Sequence, residues 1–217
     1  MRRGDGVMQP SYIAILLLSL LLIVIEPMTR EVGAPLRPVL DRTLAVMALP
    51  LRLARLSAQP PDAVLLMPVA GAQVGRITDT WGAPRPGGRR HQGQDIFAKK
   101  GTAVFSATRG YVVRVGSNAL GGNALVIAGA GGRGYYYAHL ERFAPDLWLG
   151  KPVTPETIIG FVGNTGNASR TPPHLHFAMY TARGPSDPLP LLRDRAPSPT
   201  VNVSGVAPTS SPLHSHP

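Results

Sequence analysis

Cysteine is absent from the 217 residues. That removes disulfide staples, thiol nucleophiles, cysteine-ligated zinc ribbons, iron–sulfur clusters and lipid-modified cysteines together. Compartment stays open, because a core of the size this chain can build needs no disulfides in an oxidising environment either. Several catalytic signatures are lacking as well. No G-x-S-x-G elbow, P-loop or H-E-x-x-H occurs, so serine hydrolase, nucleotide hydrolase and thermolysin-type readings have no residues to stand on. Gly129-Ala-Gly131-Gly132-Arg-Gly134 fits the spacing of a dinucleotide fingerprint. The pyrophosphate in that motif needs a helix N-terminus next, and Tyr135-Tyr-Tyr-Ala-His begins a strand, so the glycines are read as a hairpin turn. Aromatics are scarce, at 6%. With few of them interleaved among the basic residues outside Tyr135–Tyr137, stacking platforms are poor, and nucleic acid is not an expected partner.

Glycine (24) and proline (23) are abundant and 44% of residues are hydrophobic, a balance that favours turns and short strands around a core over a helical bundle or wholesale disorder. Lysine and arginine outnumber aspartate and glutamate 22 to 12, for a net charge of +10. Residues 67–182 hold 12 basic and 5 acidic residues, so +7 of that charge sits in the middle of the chain. Such a surface suits a polyanion, an acidic lipid or a carboxylate-bearing cell-wall polymer, or serves solubility alone.

Residues 12–25 carry no charge, Arg2 and Arg3 precede them, and the uncharged stretch reaches back to Gly6. At 1.5 Å per residue, Gly6 to Ile25 spans about 30 Å as a helix, the thickness of a bilayer's hydrocarbon. An uncleaved signal anchor over residues 1–28 is the favoured reading. A cleaved secretory signal is the competitor, but Glu26, Pro27 and Met28 stand where a small-x-small site belongs, and Val32-Gly33-Ala34 runs into Pro35. Residues 29–62 read as a helical stalk and linker. Leu36, Val39, Leu40, Leu44 and Met47 recur at helical spacing, Pro50 should kink the helix, and Gln59-Pro-Pro-Asp62 closes it. Residues 183–217, with eight prolines and eight Ser/Thr, read as a disordered tail. His214 and His216 within it have metal-pair spacing but an inert setting.

Between them, residues 63–182 hold β-prone runs at 102–107, 111–115, 124–128, 135–140, 157–162 and 175–181, separated by glycines, so an all-β, antiparallel domain is expected. All four histidines outside the tail fall inside it: His91, His139, His174 and His176. In an extended segment residues an even number apart share a face, so His91 and Asp95 converge, and His174 and His176 project together while Leu175 and Phe177 enter a core. Two such segments facing each other bring three nitrogen or oxygen donors to a divalent ion. Imidazole plus carboxylate is a set zinc accepts tetrahedrally, with a fourth position left for water.

His91-Gln-Gly-Gln-Asp95, Gly101-Thr-Ala-Val, Gly122-Asn-Ala-Leu-Val-Ile, Tyr137-Ala-His139-Leu, Gly160-Phe-Val-Gly-Asn-Thr-Gly166 and Pro173-His174-Leu-His176-Phe together resemble the lysostaphin-type (LytM-like) zinc endopeptidases of peptidoglycan. The resemblance covers about residues 67–181. It implies a compact antiparallel β-sheet domain of the duplicated-hybrid-motif type, Zn2+ held by His91, Asp95 and His176, and His139 and His174 flanking a metal-activated water. The implied activity is hydrolysis of peptidoglycan stem peptides or crosslinks. With the anchor it implies a single-pass protein of the bacterial inner membrane, its domain periplasmic, or a secreted form if the signal is cleaved. Some family relatives have lost zinc ligands and activate separate amidases, so a silent wall-binding module is the alternative. Gly166 to Pro172 is longer than the usual step before the histidines and bears on substrate preference. Arg85 stands where the family often carries a groove arginine, with a structural salt bridge as its other reading.

Overall fold

The structure is a computed structural model, and it describes residues 36–196. The expected anchor over residues 1–28, His214 and His216 lie outside the described residues. Among the described residues no helix is long and apolar enough to cross a membrane.

Two helices come first, α1 (Arg37–Met47) and α2 (Leu49–Ser57). Pro50 sits in the first turn of α2, the one place in a helix where its missing N–H costs nothing, so the kink falls just before it. Ala45, Leu49 and Leu56 are buried, and α2 lies against the turn at Ala130–Gly132. Leu36, Val39, Leu40, Leu44 and Met47 remain exposed.

The domain is an antiparallel sheet of nine strands. In chain order these are β4 (Gln94–Phe97), β5 (Ala103–Phe105), β6 (Gly110–Asn118), β7 (Gly122–Ala128), β8 (Gly134–Phe143), β9 (Pro152–Val153), β10 (Ile158–Val162), β11 (His174–Thr181) and β12 (Gly184–Ser186). The main path runs β12-β11-β8-β7-β6-β9, β4 adds to the edge of β11, and β10 joins β8 to β5. A short hairpin, β2 (Pro84–Arg85) with β3 (Arg89–Arg90), stands beside it, and β1 (Leu65–Leu66) pairs in parallel with β13 (Leu192–Arg193). All six expected β-runs are strands, and the glycines after β7 form the turn into β8, with Gly131 at φ 65°.

Side-chain alternation separates two faces. Leu175, Phe177 and Met179 of β11 enter the core with Leu125, Ile127, Tyr135 and Tyr137, each large apolar side chain contributing about 2 kcal/mol by burial. The intervening residues of β11 face the opposite side, where the groove lies.

The expected tail begins too early at residue 183. Residues 184–186 form β12 on β11, and Leu192 is wholly buried. Arg195 donates to the carbonyls of Met67, Pro155 and Ser106 at 2.6, 2.7 and 2.9 Å. Prolines are compatible with folding here because they occupy an edge strand and a short helical turn at Leu189–Leu191, where a missing N–H is tolerated.

Candidate metal centre

The centre is assembled by one strand pairing and one loop. In the antiparallel pair of β4 and β11, Asp95 stands directly opposite His176, which places their side chains next to each other on one face. His91 reaches the same point from the segment between β3 and β4. The Nε2 of His91, the Nδ1 of His176 and the Oδ1 of Asp95 form a triangle with sides of 2.9, 3.0 and 3.1 Å. Zinc ligands at 2.0–2.1 Å in a tetrahedron stand about 3.3 Å apart. Three lone-pair atoms at this spacing therefore fit a shared cation, and these are the only such cluster among the described residues. All three expected ligands are brought together.

The surroundings fix each donor. Thr80 O accepts the Nδ1–H of His91 at 2.7 Å, which leaves Nε2 with its lone pair toward the triangle. Arg85 Nη2 donates to Asp95 Oδ2 at 2.6 Å, so one carboxylate oxygen is occupied and the other is aimed at the two imidazoles. Arg85 is thus both a groove arginine and a salt-bridge partner. Burial alone would raise the Asp95 carboxyl. The close approach of the His176 and His91 rings and the bond from Arg85 outweigh it and hold the group well below the usual carboxylate range. Burial also pushes the His176 imidazole below its ordinary value, favouring the neutral form a metal needs. Gly93 makes room for that ring, since a Cβ there would lie 2.6 Å from His176 Cε1.

His174 and His139 flank the triangle without joining it. His174 Nε2 is 3.9 Å from Asp95 Oδ1, and the rings of His174 and His139 are 5.0 Å apart. Each gives its Nδ1–H to a carbonyl, that of Pro172 for His174 and that of Thr165 for His139, both at 2.9 Å. In each case Nε2 is left as the open acceptor. Burial lowers the His139 imidazole to about 4. His139 has φ 62°, unique among the described non-glycine residues in being positive, and the pairing of β7 with β8 slips here, with Asn123 opposite Leu140 but Leu125 opposite Tyr137. This bulge turns His139 to the groove when strict alternation with Tyr135 and Tyr137 would send it into the core. The left-handed backbone costs about 1–3 kcal/mol, offset by the N–H of His139 on Gly121 O at 2.8 Å and by the bond to Thr165.

Gln94 and Thr80 escaped the sequence reading. Gln94 is wholly buried, accepts from Thr80 N at 3.0 Å and donates to Asp79 and Asp187 at 2.8 and 2.9 Å. It locks in place the loop whose carbonyl orients His91. A glutamine beside Ile96 on the core face of β4 was the available signal, since a buried amide has to be fully hydrogen-bonded.

The centre lies in a groove of about 1050 Å³ whose walls include Asn167, Thr171 and Pro172 of the 166–172 segment. Fold and site together define a β-sheet domain with a candidate mononuclear metal centre and two unligated histidines beside it. The family model described as Peptidase family M23 matches residues 89–188, the stretch that carries both the triangle and the two flanking histidines. It is 42% identical over 125 residues to the L-Ala–D-Glu endopeptidase of Bacillus subtilis (strain 168), covering 52% of this chain and 38% of that protein. It is 34% identical over 119 residues to the DD-carboxypeptidase/endopeptidase Mpg of Neisseria meningitidis serogroup B, covering 55% of this chain and 25% of that protein. The chain thus spans well under half the length of either relative. Among solved structures it resembles a zinc-containing peptidase of Vibrio cholerae (TM-score 0.50, 26% identity, 60% of this chain and 40% of that one). Csd3 of Helicobacter pylori is similar to the same degree (TM-score 0.50, 33% identity, 60% and 35%).

Proposed function

We propose that this chain is a zinc-dependent endopeptidase that hydrolyses stem peptides or crosslinks of peptidoglycan. The observation that carries the reading is the triangle of His91, Asp95 and His176 at about 3 Å spacing, with two carbonyl-anchored histidines beside it. Endopeptidase relatives and a zinc-containing structural neighbour support it.

His91, Asp95 and His176 would hold the zinc. Bound there, zinc supplies Lewis acidity toward a peptide carbonyl and a water acidified toward neutrality. One of His139 and His174 accepts the proton of the attacking water at Nε2 and, as the imidazolium, returns it to the leaving amine nitrogen, and the other donates a hydrogen bond to the developing oxyanion only when it too carries a proton on Nε2. No glutamate follows His91 to act as base, so the histidines carry the proton. Their Nδ1–H bonds to Pro172 and Thr165 set the tautomer the acceptor requires. Arg85 keeps Asp95 ionised and turned to the ligand site. All five functional positions are filled, which favours catalysis over a silent wall-binding module.

The same proposal places residues 1–28 in the inner membrane and the domain in the periplasm beside its substrate. The exposed apolar stripe of α1 and the charge-free run at 12–25 support that placement. Clearing of purified murein by the full chain tests the activity. Chelator should stop it and zinc restore it, and intact murein after zinc loading would refute it.

A further inference from the structure

The groove is far more cationic than a metal centre requires. Arg85, Arg89, Arg90 and Arg114 line it, and Asp95 is the one carboxylate among its walls. Asp95 is already taken by Arg85. Arg89, Arg90 and Arg114 are exposed and have no carboxylate partner among the described residues. Unpaired guanidiniums in a concave site focus a positive field on whatever enters, and their planar forks match carboxylates.

Two of the three are held ready. Arg89 donates to Pro86 O at 3.2 Å and Arg90 to Gly82 O at 3.1 Å, which fixes both on the β2–β3 hairpin immediately before His91. Arg114 is on the far side. It pairs with Val126, Val126 with Tyr136, and Tyr136 with Ala178. It therefore stands three strand spacings, about 14 Å, from β11, the length of about four extended residues. Val126, Tyr136 and Tyr180 form the floor between, an apolar and aromatic surface suited to an extended chain.

We infer that the groove selects peptides carrying free carboxylates on both sides of the reacting bond, with Arg89 and Arg90 reading one and Arg114, about four extended residues from β11, reading another on the opposite side. Neutral bridges such as oligoglycine are correspondingly poor ligands. The inference rests on the proposed hydrolytic reading for its setting, but binding tests it separately from turnover.

The probes are fluorescein-labelled stem pentapeptides in two forms, all carboxylates free or all amidated, titrated into the full chain in detergent and read by anisotropy. The free-acid form should bind at least about tenfold more tightly, as expected for charge-assisted contacts partly open to solvent. Arg114→Gln and the Arg89→Gln/Arg90→Gln pair should each remove roughly three- to tenfold of that preference, leave the amidated form unchanged, and be mimicked by high salt. These are exposed side chains, and an unchanged thermal midpoint confirms that the variants fold. Equal binding of the two forms, or no binding of either, overturns the inference. So does displacement of the acid peptide by a single-stranded oligonucleotide of equal affinity. Acid-selective binding without cleavage would leave the inference standing and refute the hydrolase instead.

Discussion

β8 and β11 lie side by side in the sheet, and each delivers histidine to the same groove, by opposite means. β11 obeys alternation. Leu175, Phe177 and Met179 face inward, and His174 and His176 face the groove. β8 breaks it, because alternation with Tyr135 and Tyr137 would bury His139, and a bulge with a left-handed backbone rotates the ring out. The regular strand turns its histidines to the groove by pattern alone, while the irregular one stores strain to place the proposed proton carrier.

Substitutions should separate the two strands. The largest effect is expected on the regular side: His176→Ala should lose zinc and reduce hydrolysis of murein to background, at least about a thousandfold, since a two-ligand site does not retain the metal. Metal analysis alongside turnover checks this. His139→Ala on the irregular side should keep zinc and lose about 10²–10⁴-fold in kcat, the range of general acid–base catalysis. If it also lost zinc, the division between ligand and proton carrier would be wrong.

Gly163→Ala attacks the bulge without touching a histidine. A Cβ there collides with the backbone of Glu141 and with His139 O, so kcat should fall about tenfold or more and stability by about 1–3 kcal/mol, with zinc content retained. Thermal melts and kinetics of the zinc-loaded variant read both. Smallest is Arg85→Gln, which frees Asp95 Oδ2. Zinc affinity should weaken about tenfold, as for other partners behind a ligand, measurable by competition with a chromogenic chelator.

The comparison also explains what could be read from the amino acids. On β11, a strict apolar alternation with two histidines in phase shows both which residues face the groove and that they do so together. The His91–Asp95 spacing suggested convergence by the same rule, but His91 lies on the loop before β4, and only the register of β4 against β11 reveals that Asp95 stands opposite His176. His139 was placed by resemblance rather than by pattern, because a bulge inserts one residue without any change in composition. Gln94 and Thr80 were invisible because they act through hydrogen bonds to a loop distant in sequence. The folded end at 184–195 was obscured by its prolines, whose edge and turn positions depend on tertiary pairing. The expected anchor and the far C-terminus lie outside the described residues.

Metal content of the purified full chain tests the central claim most directly. After zinc loading and desalting, about one zinc per chain should remain, and none in the Asp95→Ala variant. A wild-type chain that retains no zinc would contradict the account, however well the triangle is formed.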